Sequence, residues 1–405
     1  MKLIATTALA LVAAVAATPA AAQPKPATAQ PAAPQIKPSS KALKALVDLQ
    51  TAVKANDTAN IPAKIAAAQA VASTPEDRYL IAQFQLQAAV KANDMSTAAT
   101  ALAAMQASGV GSKADLAAVY SGLGGSLYNA KQYDKAATAF AHALELNPGD
   151  IKSQELVGES YLAAGQKAQA AAAFQRAIQM QTAAGQKPEE SLMKRALAVA
   201  YDQQSPTSVE LARQWVAAYP SAASWSDSIA IYRNLNHPDT ESTIDLYRLM
   251  ALTGSLTGPQ WAQYARAEAE LGNFNEAQAA YDAGVAAKLI TPGSSEYSDL
   301  ATGLKAKPKA TAADLAAATK SAVSGMALLR IGDRYYAMGD YAKAVELYKM
   351  AMSKPGVDAA VANLHIGMAL ARAGDKAGAT AALNSVTGPR ADVAKFWLIY
   401  LNQKA

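Results

Sequence analysis

The 405-residue chain has no cysteine, and it carries only five phenylalanines, four tryptophans and three histidines; charged residues make up 17%. Without a thiol it has no disulfide framework, no cysteine-ligated zinc or iron–sulfur centre, no cysteine nucleophile and no cysteine-linked lipid anchor. The histidines His142, His237 and His365 stand at no metal-ligand spacing from one another. His237 has Glu241 four residues on, but Pro238 follows it and places it in a turn ahead of a helix. All three read as ordinary surface or packing residues. No G-x-S-x-G elbow and no G-x-x-x-x-G-K-[ST] phosphate loop occurs, and the cluster Gly122, Gly124, Gly125 lacks the preceding strand that a phosphate cradle needs. The 37 basic and 32 acidic residues are dispersed and leave a net charge of +5, which argues against a nucleic-acid partner. Lys305, Lys307 and Lys309 alternate with small residues and proline, as in an exposed loop. No cofactor and no metal is expected, and the chain reads as a non-enzyme. What the chain has in abundance is alanine, the residue of highest helix propensity, at 101 positions. Helix packed on helix is the first fold class to test.

Residues 1–22, MKLIATTALALVAAVAATPAAA, give Lys2, an apolar run from Leu3 to Ala17, and the small-residue exit Ala20-Ala21-Ala22. That is the layout of a secretory signal peptide cut between Ala22 and Gln23. The run is short of the about 20 residues that a spanning helix needs, and no later window is apolar and long enough to span. The reading is export to the periplasm, or secretion, of a mature chain without a transmembrane segment. Residues 23–40 hold Pro24, Pro26, Pro31, Pro34 and Pro38, which forbid a regular helix and favour an extended tether.

From residue 41 the pattern is helix, short break, helix. Over residues 41–113 Leu49-Gln50-Thr51-Ala52-Val53-Lys54-Ala55-Asn56-Asp57 returns as Leu86-Gln87-Ala88-Ala89-Val90-Lys91-Ala92-Asn93-Asp94, 37 residues later. The Asn-Asp pair suits a turn between helices, where it satisfies free amide groups. Self-similarity at such a period points to a solenoid. Downstream, Gly124 leads to Ala136, Phe140, Ala143 and Pro148 at steps of 12, 4, 3 and 5. Gly158 leads to Ala170, Phe174 and Ala177, and Gly332 to Ala344, Tyr348 and Ala351, at the same first three steps. Ala265 with Tyr281, and Gly367 with Leu383, keep that spacing. A small residue on a first helix admits the second helix, and the larger side chain fills the space beside it. A turn seven residues after each starting position carries Gly165, Gly272, Gly339 and Gly374, with Lys131 in the first unit.

In these residues the chain resembles the tetratricopeptide repeat family, whose 34-residue helix–turn–helix unit reads W-x2-L-G-x2-Y, then alanine, an aromatic, alanine and proline. Over 114–390 the matching units are 117–150, 151–184, 258–291, 325–358 and 360–390, with degenerate units at 191–220, 222–257 and 292–324. Residues 391–405, with Phe396-Trp397-Leu398, read as a capping helix over the last repeat. The resemblance implies an all-α solenoid of stacked antiparallel helix pairs, a right-handed superhelix without a sheet. It further implies a concave groove, lined by first helices, that takes extended peptides or helices of partner proteins. In register, the groove positions include Tyr128, Asn129, Lys152, Glu155, Glu159, Arg233, Asn234, Arg266, Asp333 and Tyr336. Ser121, Gly125, Glu155 and Glu159 stand where some members clamp a peptide's terminal carboxylate with lysine, arginine and asparagine, so that clamp does not carry over. The expectation is an exported scaffold for protein partners in assembly or maintenance of a cell-envelope complex. The alternative is a helical-solenoid enzyme or binding protein acting on murein or another envelope glycan, for which Glu155 or Glu268 is the nearest candidate carboxylate.

Overall fold

The computed structural model describes residues 36–403; the expected signal peptide and most of the proline-rich tether lie outside the described residues. Among the described residues there are twenty-one α-helices, one 3-10 turn and no strand. The chain divides into two compact units, one ending at Val199 and the other beginning at Ala200.

The first unit holds α1 (Leu43–Ala55), α2 (Ile61–Val71), α3 (Pro75–Lys91), α4 (Met95–Ala107), α5 (Lys113–Asn129), α6 (Tyr133–Leu146), α7 (Ile151–Ala163), α8 (Lys167–Ala183) and most of α9 (Glu190–Asp202). The duplicated Asn-Asp turns work as local chemistry suggests. Asn56 and Asn93 take left-handed φ of 53° and 56°, and Asp94 caps α4 by accepting from the Thr97 amide at 3.1 Å. At the recurrent turn Gly165 has φ of 79°, and Lys131 takes the same left-handed position at 60°. The spacing rule is steric. A Cβ at Gly124 would stand 2.8 Å from the Phe140 ring, and one at Gly158 2.5 Å from the Phe174 ring. Only glycine permits that approach. Leu49, Leu102, Leu127 and Phe140 anchor the core of this unit. Asp77, at the start of α3, is buried, but it accepts from the Ser39, Ser73 and Thr74 amides and the Ser39 hydroxyl. These bonds outweigh burial and hold its carboxyl well below the usual range.

The second unit continues with α10 (Thr207–Ala218), α11 (Ala222–Asn236), α12 (Thr240–Thr253), α13 (Gly258–Glu270), α14 (Phe274–Ala286), α15 (Ser298–Ala306) and α16 (Ala312–Ser321). Then follow α17 (Gly325–Ala337), α18 (Tyr341–Met352), α19 (Ala359–Ala373), α20 (Lys376–Asn384), a 3-10 turn (Gly388–Arg390) and α21 (Ala391–Gln403). The same close approach recurs, with Gly332 against Tyr348 and Gly367 against Leu383. Two features depart from a simple stack. First, α12 is buried on every side over Ile244–Met250, the mark of a helix enclosed by others. Second, α21 does more than cap α20. Phe396 and Trp397 are fully buried, and the Phe396 ring lies 5.8 Å from Tyr232 and 6.4 Å from Trp225 of α11. The Trp397 indole N–H donates to the Asp245 carbonyl at 3.2 Å, Gln403 donates to the Val216 carbonyl at 2.8 Å, and Arg213 pairs with Asp392 at 2.8 Å. The last helix of this unit is therefore seated on α10, α11 and α12, and the unit closes on itself.

Candidate functional site

In the first unit the register places groove residues on α5 and α7, which the Ser121 and Ser153 hydroxyls tie together at 2.9 Å. Tyr128 is half-buried, its ring edge-on to Tyr133 at 5.2 Å, and Asn129 is exposed. Lys152 is exposed and pairs with half-buried Glu155 at 3.0 Å. Glu159, also half-buried, pairs with Arg195 of α9. Between them a Cβ added at Gly125 would meet nothing within 4 Å, so the face is open there. These five residues lie on successive first helices, two on α5 and three on α7, and remain reachable from solvent.

The second unit treats its groove positions differently. Arg266 is exposed, while Asn234 is exposed and donates to the Tyr201 hydroxyl at 3.0 Å. Arg233 lies over the Tyr247 ring of α12 at 5.0 Å. Tyr336 is buried and Asp333 is engaged within the unit, so neither stands free on a groove face as register expects. Tyr336 is buried beneath the Arg248 guanidinium, 5.0 Å from its ring centroid. Asp333 accepts from the Tyr348 hydroxyl at 2.9 Å and faces His365 at 3.0 Å. The physical reason is α12: register assumes an open groove, and here that helix presents Asp245 and Arg248 to the faces of α13, α17 and α19.

Around α12 the charged groups form a buried cluster. Arg248 donates bidentately to Glu276 at 2.7 Å from both Nε and Nη2, and also to Asp245 at 3.0 Å and Glu268 at 3.1 Å. Asn273 donates to Glu268 at 3.0 Å and to Glu276 at 2.9 Å, and the Tyr264 hydroxyl donates to Glu276. His365 sits between Asp333 and Asp245, 3.0 Å and 3.4 Å away, held by charge rather than by aligned hydrogen bonds. Burial lowers the basicity of His365, but the Asp333 and Asp245 carboxylates outweigh it and raise its pKa to about 10. Burial likewise opposes ionisation of Asp333, and the adjacent His365 cation prevails, bringing it down to about 2. Arg390, after α20, donates to Ser242, Asp239 and Glu241 at 3.0, 3.2 and 3.1 Å. A cavity of about 60 Å³ opens beside this cluster.

Of this cluster, sequence reasoning singled out Asp333, Tyr336, Glu268 and His365, none of them as a member of an ionic core. It missed Asp245, Arg248, Glu276 and Arg390. The available signal was the run Ile244-Asp245-Leu246-Tyr247-Arg248-Leu249-Met250, where opposite charges three apart interrupt an otherwise apolar helix. His142, by contrast, is half-buried and pairs with Glu145, and His237 ends α11 in a left-handed conformation.

A family model described as tetratricopeptide repeat matches residues 117–150, and a second of the same description matches 158–228 and 329–393. These stretches of the chain are tetratricopeptide repeats. The chain's architecture makes it a protein–protein interaction scaffold, the role these repeats serve. Solved structures similar to it include the TPR2AB domain of yeast Sti1 in its pHSP90 complex: identity 14%, 71% of this chain and 99% of that one covered, TM-score 0.25. Another is PilF of Pseudomonas aeruginosa, with 15% identity, 65% and 97% covered, and a TM-score of 0.23. A third is Naa15/Naa10 bound to HypK-THB, with 11% identity, 87% and 64% covered, and a TM-score of 0.32. At these values the superpositions carry no argument of their own. No curated protein matches the chain. No described helix of this tetratricopeptide-repeat chain is long and apolar enough to cross a membrane.

Proposed function

We propose that this tetratricopeptide-repeat chain is an exported scaffold that binds a protein partner of a cell-envelope complex through the first-helix face of α5 and α7. One observation carries the reading: those groove positions are exposed or half-buried in the first unit, whereas in the second Tyr336 lies under Arg248 of α12 and Asp333 is engaged by Tyr348 and His365. Lys152, Glu155, Glu159 and Arg195 form alternating ion pairs with solvent access, and such pairs exchange partners at little cost. Tyr128 of α5, half-buried against Tyr133, offers apolar area with a polar edge, as interface aromatics do. Export rests on the signal-type layout of residues 1–22. A glycan-cleaving role finds little support, since Glu155 is engaged by Lys152 and Glu268 is enclosed by Arg248 and Asn273.

The test is in-cell cross-linking and capture of a C-terminally tagged chain, with mass spectrometry of both the partner and the mature N-terminus. The expected N-terminal residue is Gln23. The paired sample carries Asn129→Lys, Lys152→Glu and Glu159→Lys, after circular dichroism shows that it is still helical. An envelope protein captured by the parent and lost from this variant supports the reading. Equal capture by both, or an uncleaved cytosolic chain, overturns it.

A further inference from the structure

The cavity of the second unit differs in charge balance between rim and floor. At the rim, Glu241 and Asp358 stand with Arg330 and Arg334, two acids and two bases. Arg330 leans on Glu241 at 3.9 Å, and Arg334 reaches the Gly272 carbonyl at 3.5 Å. In the floor, Asp245, Glu268 and Asp333 line the cavity, with Glu276 directly behind Arg248. Four carboxyl groups there face the Arg248 guanidinium and the His365 imidazolium, with a second guanidinium, Arg390, shared among Asp245, Asp239 and Glu241. The Arg248 side chains of that balance are spent, because each of its three nitrogens already donates to a carboxylate. Arg390 approaches Asp245 only to 3.7 Å.

Two acceptor oxygens on lining residues, Asp245 Oδ2 and Asn273 Oδ1, have no hydrogen-bond partner. The side chain of Asp245 is 1% exposed. A buried acceptor left without a donor is costly, and a buried carboxylate more so. The His365 nitrogens also lack aligned partners, but each already faces a carboxylate. What the floor lacks is N–H donors for these two oxygens.

We propose that this cavity binds a small cationic head group, an ammonium or a guanidinium, with its N–H donors directed to Asp245 and Asn273. The volume of about 60 Å³ admits a group of a few heavy atoms and is far below the roughly 300–1,000 Å³ of a pocket for a drug-sized ligand. The site uses no residue of the α5 and α7 face, so it stands or falls apart from the scaffold reading. Protonation is coupled to it. Burial, and then the Glu276 carboxylate, push Glu268 well above the usual carboxyl range, against the pull of Arg248. Facing Glu268 are Arg248 of α12, Asn273 and Glu276 at the start of α14, Tyr264 on its own helix and Asp333 of α17. That direction favours the protonated form of Glu268, which moderates the negative charge of the floor. A bound cation favours the carboxylate, so binding releases that proton and tightens as pH rises.

Titration calorimetry of the full chain tests this with methylguanidinium chloride and, separately, sodium acetate, in buffers of different ionisation heat. Saturable binding of methylguanidinium is expected, about threefold tighter at about pH 8 than at about pH 6, with proton release. Acetate should not bind. Met326, on the lining and exposed, is the place to narrow the mouth without touching the floor. Met326→Trp should weaken binding about tenfold or more, and Met338→Trp, exposed and off the lining, should bind as the parent does. Glu268→Gln should abolish the proton release. Acetate binding in place of methylguanidinium, no saturation by either ion, or undiminished binding by Met326→Trp overturns the proposal. Putrescine and acetyl-arginine amide then separate the sources, a free diamine from a partner's side chain, by which binds more tightly.

Discussion

Two glycines on first helices have opposite surroundings, and substitution at each should move stability in opposite directions. A Cβ at Gly158 would fall 2.5 Å from Phe174, whose ring is fully buried and has nowhere to go. Gly158→Ala should cost about 1–3 kcal/mol by overpacking, measured by urea unfolding followed by circular dichroism. Gly125 has open space around its Cα, and Gly125→Ala should stabilise by about 0.5–1 kcal/mol through helix propensity. A destabilised Gly125→Ala would mean that the face is not open. His365 makes a prediction in pH. Its pKa is raised from 6.5 to about 10, so its contribution is full below 6.5 and is lost as pH rises through about 10. Melting temperature should therefore fall between these values in the parent, and His365→Gln should start lower and lack that part of the slope.

Among the elements, α12 and α21 decide the second unit. Both are short helices, and short helices owe their stability to packing rather than propensity. α12 brings Arg248 into a set of carboxylates whose side chains are at most 5% exposed, Asp245, Glu268 and Glu276. Removing one member of a buried ionic set leaves the others unpaired. Arg248→Met should cost about 3–5 kcal/mol, read by urea unfolding with tryptophan fluorescence. The α21 helix holds α12 through the Trp397 indole and the apolar contacts around it. Trp397→Ala should cost about 3–5 kcal/mol by circular dichroism. If α21 were only a cap on α20, the loss would be confined to fraying of the last repeat, and the remaining tryptophans would report no change.

For the whole molecule, the relevant fact is that each unit holds an apolar cluster of its own, over residues 42–173 in the first and 209–401 in the second. Repeat arrays unfold by local steps whose coupling is limited to neighbours. All four tryptophans, Trp215, Trp225, Trp261 and Trp397, lie in the second unit, so fluorescence reports that unit while far-ultraviolet circular dichroism reports both. The two probes should give non-coincident urea transitions. Phe140→Ala, in the core of the first unit, should shift the circular dichroism curve and leave the fluorescence midpoint in place. Coincident curves that move together in this variant would show one cooperative structure.

Much of this was legible before any coordinates. Glycine at 124, 158 and 332, with an aromatic sixteen residues on, announces the helix pair, because helix approach is a short-range steric matter readable within one repeat. The asparagine and glycine turns are equally local, since a left-handed residue is identified by its own chemistry. The register positions on α5 and α7, Tyr128, Asn129, Lys152, Glu155 and Glu159, are exposed or half-buried, so a local pattern sufficed to place them on a surface. What register could not supply was the fate of Asp333 and Tyr336. Tyr336 lies under Arg248, more than eighty residues earlier, and Asp333 faces His365, thirty-two residues later, and both placements depend on how the repeats of the second unit turn around α12. The same holds for Trp397 against Asp245, 152 residues apart. The sequence by itself determined the repeat, its turns and its internal packing, each set by contacts of short reach. Only the tertiary structure decided that the second unit closes on its own helix, because that outcome sums small rotations over many repeats and no single spacing records the sum.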